Sequence, residues 1–182
     1  MNLLLHLDDS GAMNGYLKER NKWWPVSKKL LASYNDGSHT RNTGTCNLGW
    51  YKNNDLHRDG DKPARIWSEG TLEFFKNGWR HRDLDKPAVI RTNGTLEWWR
   101  NWQLHRDGDK PALIDADDRL VWYKHGLPHR TTGPAVIHSN NEHEYWIDGK
   151  NIDEEVDAWL KTRKYKYPFT PEQQVEFTLT FC

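Results

Sequence analysis

HRDGDKPA occupies positions 57–64, recurs letter for letter at 105–112, and stands between them as HRDLDKPA at 81–88. Its histidine, arginine, lysine and two aspartates have the polar chemistry of an active site, whereas repetition is the mark of a scaffold. The wider pattern decides between them. His57, His81, His105 and His129 fall at intervals of 24, and Pro63, Pro87 and Pro111 keep that spacing before Pro134 arrives one residue early, in a last loop shortened to RTTGPA. Self-similarity at a fixed period of this length is the signature of a repeat architecture.

Outward from this anchor, each repeat has three parts. A Pro-Ala step opens a short apolar segment (PARIW, PAVIR, PALID, PAVIH), and a turn follows (SEGT, TNGT, ADDR, SNNEHE). An aromatic segment then leads back to the next histidine: Trp50-Tyr51-Lys52, Phe74-Phe75-Lys76, Trp98-Trp99-Arg100, Trp122-Tyr123-Lys124 and Tyr145-Trp146-Ile147. Proline fixes φ and lacks an N–H, so it suits the first residue of a strand. Asn-Gly or Glu-Gly between β-prone runs is a hairpin signal, and Lys76-Asn77-Gly78 and Lys124-His125-Gly126 supply a second turn. The sequence therefore predicts a mainly β fold, an elongated meander of stacked β-hairpin repeats of about 24 residues each over 50–150.

Successive side chains of a strand point to opposite faces. One ladder is then Trp50, Phe74, Trp98, Trp122 and Tyr145, and the other Tyr51, Phe75, Trp99, Tyr123 and Trp146. Burying one ring contributes roughly 1.5–3 kcal/mol, so at least one ladder must be core to offset the entropy of ordering the sheet. A second ladder left in water would form an apolar patch of the kind that marks a partner surface.

Residues 1–49 lack the clear repeat and read as a mixed N-terminal segment, a degenerate repeat or a cap. Leu3 to Leu7 predicts a strand ended by the turn Asp8-Asp9-Ser10-Gly11, Pro25 to Tyr34 a short helix, and Asn35 to Gly49 a loop. Residues 151–182 are expected to form a C-terminal capping helix and a tail. Asn151 with Glu154 suits a helix start, and Ile152, Val156, Trp159 and Leu160 share one face. In the tail, Thr170-Pro171-Glu172 is a helix-start signal while Val175 to Leu179 alternates like a strand, which leaves the two readings open.

The 26 basic residues balance 26 acidic ones, so no global field draws the chain to nucleic acid or an anionic membrane. Cys46 and Cys182 are too few for a disulfide framework and have no metal or redox spacing, which fits a reducing, cytoplasmic setting. MNLLLHLDD has neither the basic flank nor the cleavage pattern of a signal peptide, and no run approaches membrane-spanning length. Asn93-Gly94-Thr95 is read as a hairpin turn before it is read as a glycosylation sequon.

The pattern x-W-Y-K-x-G-x-x-H-R-x-x-G-P-A, clearest at Trp122 to Ala135, resembles the MORN-repeat variant family and related repeat proteins common in phages and some large viruses. The resemblance covers about positions 49–150, and the chain departs from it where Asp-Lys replaces the Gly before Pro63, Pro87 and Pro111. It implies a hairpin solenoid serving as an interaction platform. By the same analogy, it implies a phage protein that binds and inhibits a host defence protein in the host cytoplasm.

His57-Arg58-Asp59 matches the kinase H-R-D tripeptide, but no Asn follows at the catalytic-loop distance, and D-F-G and a Gly-rich phosphate loop are missing. Aligned histidines one hairpin apart lie about 10 Å from each other, too far to share one metal ion. The rows of Arg58, Arg82, Arg106 and Arg130 run beside aspartates that can pair with them. The expectation is thus a non-catalytic protein-binding module with no cofactor, metal or membrane partner. Its candidate contacts are Tyr51, Phe75, Trp99, Tyr123 and Trp146, with Arg100 and Lys124 beside them. The alternative is RNA or single-stranded DNA held by the same rings and by Lys52, Lys76, Arg100 and Lys124. Lys18, Arg20, Lys22, Lys28 and Lys29 around Trp23-Trp24 form a further basic patch. An enzyme using one histidine among His57, His81, His105, His129, His138 and His143 fits worst, because repetition spreads these groups evenly.

Overall fold

A computed structural model describes residues 2–7, 13–19, 22–26, 39–42, 48–67 and 69–182, the first four segments as backbone strands. The chain forms two compact units, Met1–Thr95 and Leu96–Cys182. The division falls inside a repeat, after the turn TNGT, where no change of composition marks it.

The first unit opens with an antiparallel sheet of Asn2–Leu7, Met13–Glu19 and Lys22–Val26 in sequence order. Pro25 therefore lies in a strand opposite Tyr16, which corrects the helix expected to begin there. The strand is at an edge of its sheet, where a missing N–H breaks no ladder, and Trp-Trp and Val are β-prone. His39–Asn42, expected as loop, is a strand paired with Leu48–Lys52, with Thr40 opposite Trp50. The turn at 8–11, the rest of the helix expected to Tyr34, and Arg20, Lys28, Lys29 and Cys46 lie outside the described residues.

Each repeat makes two kinds of hairpin. The first joins the Pro-Ala segment to the segment after its turn: Arg65–Ile66 with Leu72–Glu73 in the first unit, and Leu113–Ile114 with Leu120–Val121 and Val136–Ile137 with His143–Glu144 in the second. Neighbouring hairpins pair in turn, Val89–Ile90 on Leu72–Glu73 and Leu120–Val121 on Val136–Ile137, so each unit contains an antiparallel meander. The second kind is tighter: Phe75–Lys76 with Trp79–Arg80, Trp99–Arg100 with Gln103–Leu104, Tyr123–Lys124 with Leu127–Pro128, and Trp146–Ile147 with Lys150–Asn151. Its turn residues have positive φ at both central positions, 51° and 80° at Asn77-Gly78 and again at His125-Gly126, as a type I′ hairpin requires.

The first ring of each aromatic pair joins the two hairpins. The Phe74 N–H donates to the Ala88 carbonyl at 2.8 Å, and its own carbonyl accepts from the His81 N–H at 3.1 Å. Trp98 makes the same bonds with Ala112 and His105, Trp122 with Ala135 and His129, and Trp50 with Ala64 and His57. From Phe74 onward the adjacent rings are thus divided between the meander and a small hairpin and do not alternate on one strand, whereas Trp50 and Tyr51 share the strand Leu48–Lys52 as expected. Trp50, Phe74, Trp98, Trp122 and Tyr145 are all buried.

The second unit ends in the helices Asp153–Arg163 (α1) and Pro171–Phe181 (α2). Asn151 belongs to the last hairpin, so α1 starts later than expected and Ile152 stands at its N-cap. The Asn151 side chain accepts from the Asp153 N–H at 3.0 Å, while Asp153 accepts from the Tyr145 N–H at 2.6 Å. In the tail the helix signal prevails, because Thr170 and Gln173 close a capping box with Pro171 at the first turn. Tyr145, Ile152, Val156, Trp159, Phe169 and Phe177 form one buried cluster, so both helices cover the last ring of the repeat array.

Candidate functional site

The histidine, the arginine and both aspartates of HRDGDKPA each have a structural partner. His57 Nδ1 accepts from the Asn77 N–H at 2.9 Å, one repeat ahead, and its Nε2 faces Asp59 Oδ1 at 2.9 Å. An accepting Nδ1 places the proton of a neutral ring on Nε2, which then donates to the aspartate. His105 makes the same pair of contacts with His125 and Asp107. The arginines lie on the buried rings, with guanidinium carbons 3.7 Å from the ring centroid at Arg58 on Trp50 and at Arg82 on Phe74, 3.8 Å at Arg106 on Trp98, and 3.9 Å at Arg130 on Trp122. Each also donates Nη1 to the carbonyl of the proline in its own loop.

The second aspartate of the motif receives the arginine of the next repeat. Arg82 reaches Asp61 through Nε at 2.6 Å and Nη2 at 3.2 Å, and Arg130 reaches Asp109 at 2.8 and 3.0 Å. Hydrogen bonds from Arg82 hold the Asp61 carboxyl below the usual carboxylate range, and those from His57, His81 and His105 do the same for Asp59, Asp83 and Asp107. The motif thus ties one repeat to the next.

The structure leaves none of the second-ladder rings fully open. Tyr51, Trp99, Tyr123 and Trp146 are half-buried, and Phe75 is only 3% exposed. At Trp99, Trp146 and Phe75 a glutamate two residues upstream takes part. Trp99 and Trp146 donate Nε1 to Glu97 and Glu144 at 2.7 and 2.8 Å. In the first unit the buried Glu73 instead pairs with Arg80 at 2.8 Å and Arg65 at 3.4 Å, and both guanidinium groups approach the face of Phe75.

The large apolar side chains in water lie elsewhere. Among the described residues they are Trp79 (47% exposed) and Leu84 (83%) in the first unit, and Trp102 (49%), Leu127 (48%), Val175 and Leu179 in the second. Two of them occupy left-handed backbone positions. Leu84 has φ 61° at the place where Gly60 and Gly108 stand in their own loops, and Trp102 has φ 64° where the turns at 78 and 126 carry Gly. Such a conformation costs a non-glycine residue roughly 1–2 kcal/mol. Both substitutions are visible when the repeats are aligned against one another, and both lie at turns, outside the aromatic segments of the strands.

Comparison with family models, curated proteins and solved structures returns no match.

The basic side chains beside the rings are largely neutralised. Lys52 pairs with Asp59 and Lys76 with Asp83, both at 3.2 Å, and Arg100 pairs with Asp107 at 2.9 Å. Lys124 differs, because Thr131 stands where those repeats place the aspartate. The side chains of Lys18, Lys22, Trp23 and Trp24 are not among the described ones, so the N-terminal basic patch gains no geometry. No helix of the described residues is long and apolar enough to cross a membrane.

Proposed function

We propose that this chain is a protein-binding repeat module whose contacts are the exposed apolar side chains at its loop and hairpin tips, led by Leu84 in the first unit and Trp102 in the second. One observation carries the reading. Leu84 holds the left-handed conformation found at Gly60 and Gly108, Trp102 the one found at Gly78 and Gly126, and both present a large apolar group to water. Strain at an exposed position persists when something other than folding requires the side chain. Tyr51 then adds a half-buried ring to the contacts of the first unit, where Phe75 is buried, and Trp99, Tyr123 and Trp146 add theirs in the second.

Pairing of Lys52, Lys76 and Arg100 with aspartates favours a protein partner over RNA or single-stranded DNA, whose phosphates would compete with those carboxylates. That the partner is a host defence protein of a phage-infected cell rests on the motif resemblance alone. Affinity capture with immobilised protein tests the module. A host-cell protein is expected to be retained in stoichiometric amount and lost from Leu84→Gly/Trp102→Gly, which restores the glycines of the other repeats and keeps the native circular dichroism. Equal retention by the native chain and the double variant, or retention no greater than on blank resin, defeats the reading.

A further inference from the structure

In three repeats, two donors converge on one carboxylate. His57 Nε2 and Lys52 Nζ meet Asp59 at 2.9 and 3.2 Å, His81 and Lys76 meet Asp83 at 2.9 and 3.2 Å, and His105 and Arg100 meet Asp107 at 2.9 and 2.9 Å. The fourth repeat keeps both donors, His129 and Lys124, but the aspartate is replaced by Thr131. His129 Nδ1 meets Asp148 twice, at the N–H at 3.0 Å and at Oδ1 at 2.8 Å, so Nε2 carries a proton both in the tautomer that accepts from the amide and in the imidazolium that donates to the carboxylate. Among the described residues, neither His129 Nε2 nor Lys124 Nζ has a hydrogen-bond or ion-pair partner.

A cleft of about 230 Å³ opens at this place, lined by Lys124, His129, Thr131 and Thr132 among others. The carboxylates of Asp107 and Asp109 also line it, but each is already held, Asp107 by Arg100 and His105, and Asp109 by Arg130 and the Thr132 hydroxyl. The short loop is fixed from behind. The Thr131 carbonyl accepts from Thr178 Oγ1 of α2 at 2.8 Å, and the Tyr167 ring lies against Gly133 so closely that an added Cβ would meet it at 2.9 Å. Lys124 thus lies on one strand of a hairpin, His129 directly follows the other strand, and the loop beside them is braced.

We propose that this cleft binds a carboxylate supplied from outside the chain, seated between His129 Nε2 and Lys124 Nζ where the other repeats place their own aspartate. Its source is an acidic side chain of the bound protein, and that step rests on the protein-binding reading above. The same donors would also take a small free carboxylate, so the test separates the two.

The imidazole resonances of the full chain are followed by NMR during titration with sodium acetate, with sodium chloride at matched ionic strength as reference. His129 is expected to show a saturable shift, while His57 and His105, whose carboxylates are in place, do not respond. Thr131→Asp, which returns the missing carboxylate, is expected to abolish the response, and Lys124→Gln to weaken it about tenfold. Tetraglutamate is expected to saturate His129 at a concentration about tenfold below that of acetate; equal concentrations would refute the protein side-chain source. A His129 response no larger than that to chloride, equal responses at His57 and His105, a response unchanged in both variants, or tighter saturation by inorganic phosphate overturns the carboxylate site. An intact acetate response combined with failed partner capture would instead remove the protein-binding reading and leave the site standing.

Discussion

Leu84 offers a direct measure of strain kept for contact. Its φ of 61° and the 55° of Asp85 reproduce the pair 79° and 54° at Gly60-Asp61, so the loop has not relaxed to suit the larger residue. The side chain is 83% exposed, so almost no burial offsets the conformational cost. Leu84→Asn keeps a residue that tolerates the left-handed region and should raise stability by about 1 kcal/mol. Leu84→Gly relieves the same strain but adds roughly 0.5–1 kcal/mol of unfolded-state entropy, so it should be close to neutral. Leu84→Ala retains the strain and removes only exposed atoms, and should stay within about 0.5 kcal/mol of the native chain. Urea unfolding followed by tryptophan fluorescence separates them. With a slope of about 2 kcal/mol per molar, the Asn variant should move the midpoint up by about 0.5 M at constant slope. Partner capture should fall in all three variants, since all three lose the side chain. A destabilised Asn variant would show that Leu84 is packed in solution and refute the strain argument, and full capture by Leu84→Ala would remove Leu84 from the contact surface.

The two rings of a pair should differ in thermal denaturation. Trp98→Ala, in the buried ladder, should cost about 3–5 kcal/mol, and Trp99→Ala distinctly less; equal losses would contradict the division between meander and hairpin. Trp122→Phe should cost less than about 1.5 kcal/mol, because its buried Nε1 lacks a partner and Phe74 fills the matching place in its own repeat; a larger loss in urea titration would count against equivalence of the repeats. Arg130→Lys should lose about 2 kcal/mol despite the retained charge, since both the stacking on Trp122 and the two-point contact with Asp109 need a planar guanidinium; an unchanged midpoint would remove that role. Burial holds His129 and His143 below the ordinary histidine range, with Asp148 opposing and Lys124 reinforcing the effect at His129. Above pH about 6.5 both folded and unfolded chains are neutral at these rings; below it the unfolded chain takes up protons that the folded one resists, so stability falls as pH drops through the folded values. Tm should decline between pH about 7.5 and 5.5, and His129→Gln/His143→Gln should flatten the decline; an identical slope in that variant would refute the assignment.

The period, the hairpins and their turns are local features, and they are legible in the letters because each repeat makes most of its contacts within itself and with its neighbours. Pro-Ala marks where a strand begins, and Asn77-Gly78 marks where the chain reverses. The even spacing of the histidines was legible too, and the structure gives His57 and His105 the same contact with the turn one repeat ahead. Which ladder is core was not. That depends on Arg58, Arg82, Arg106 and Arg130 folding back over Trp50, Phe74, Trp98 and Trp122, a contact between segments several residues apart that hydrophobic alternation does not record. Local signals also conflicted in the tail, and the capping box of Thr170 and Gln173 together with the apolar cluster around Phe177 decided for a helix. The open donors of His129 and Lys124 needed both kinds of information. The letters show that the aspartate is missing, and only the tertiary structure shows that its two partners still converge on its place.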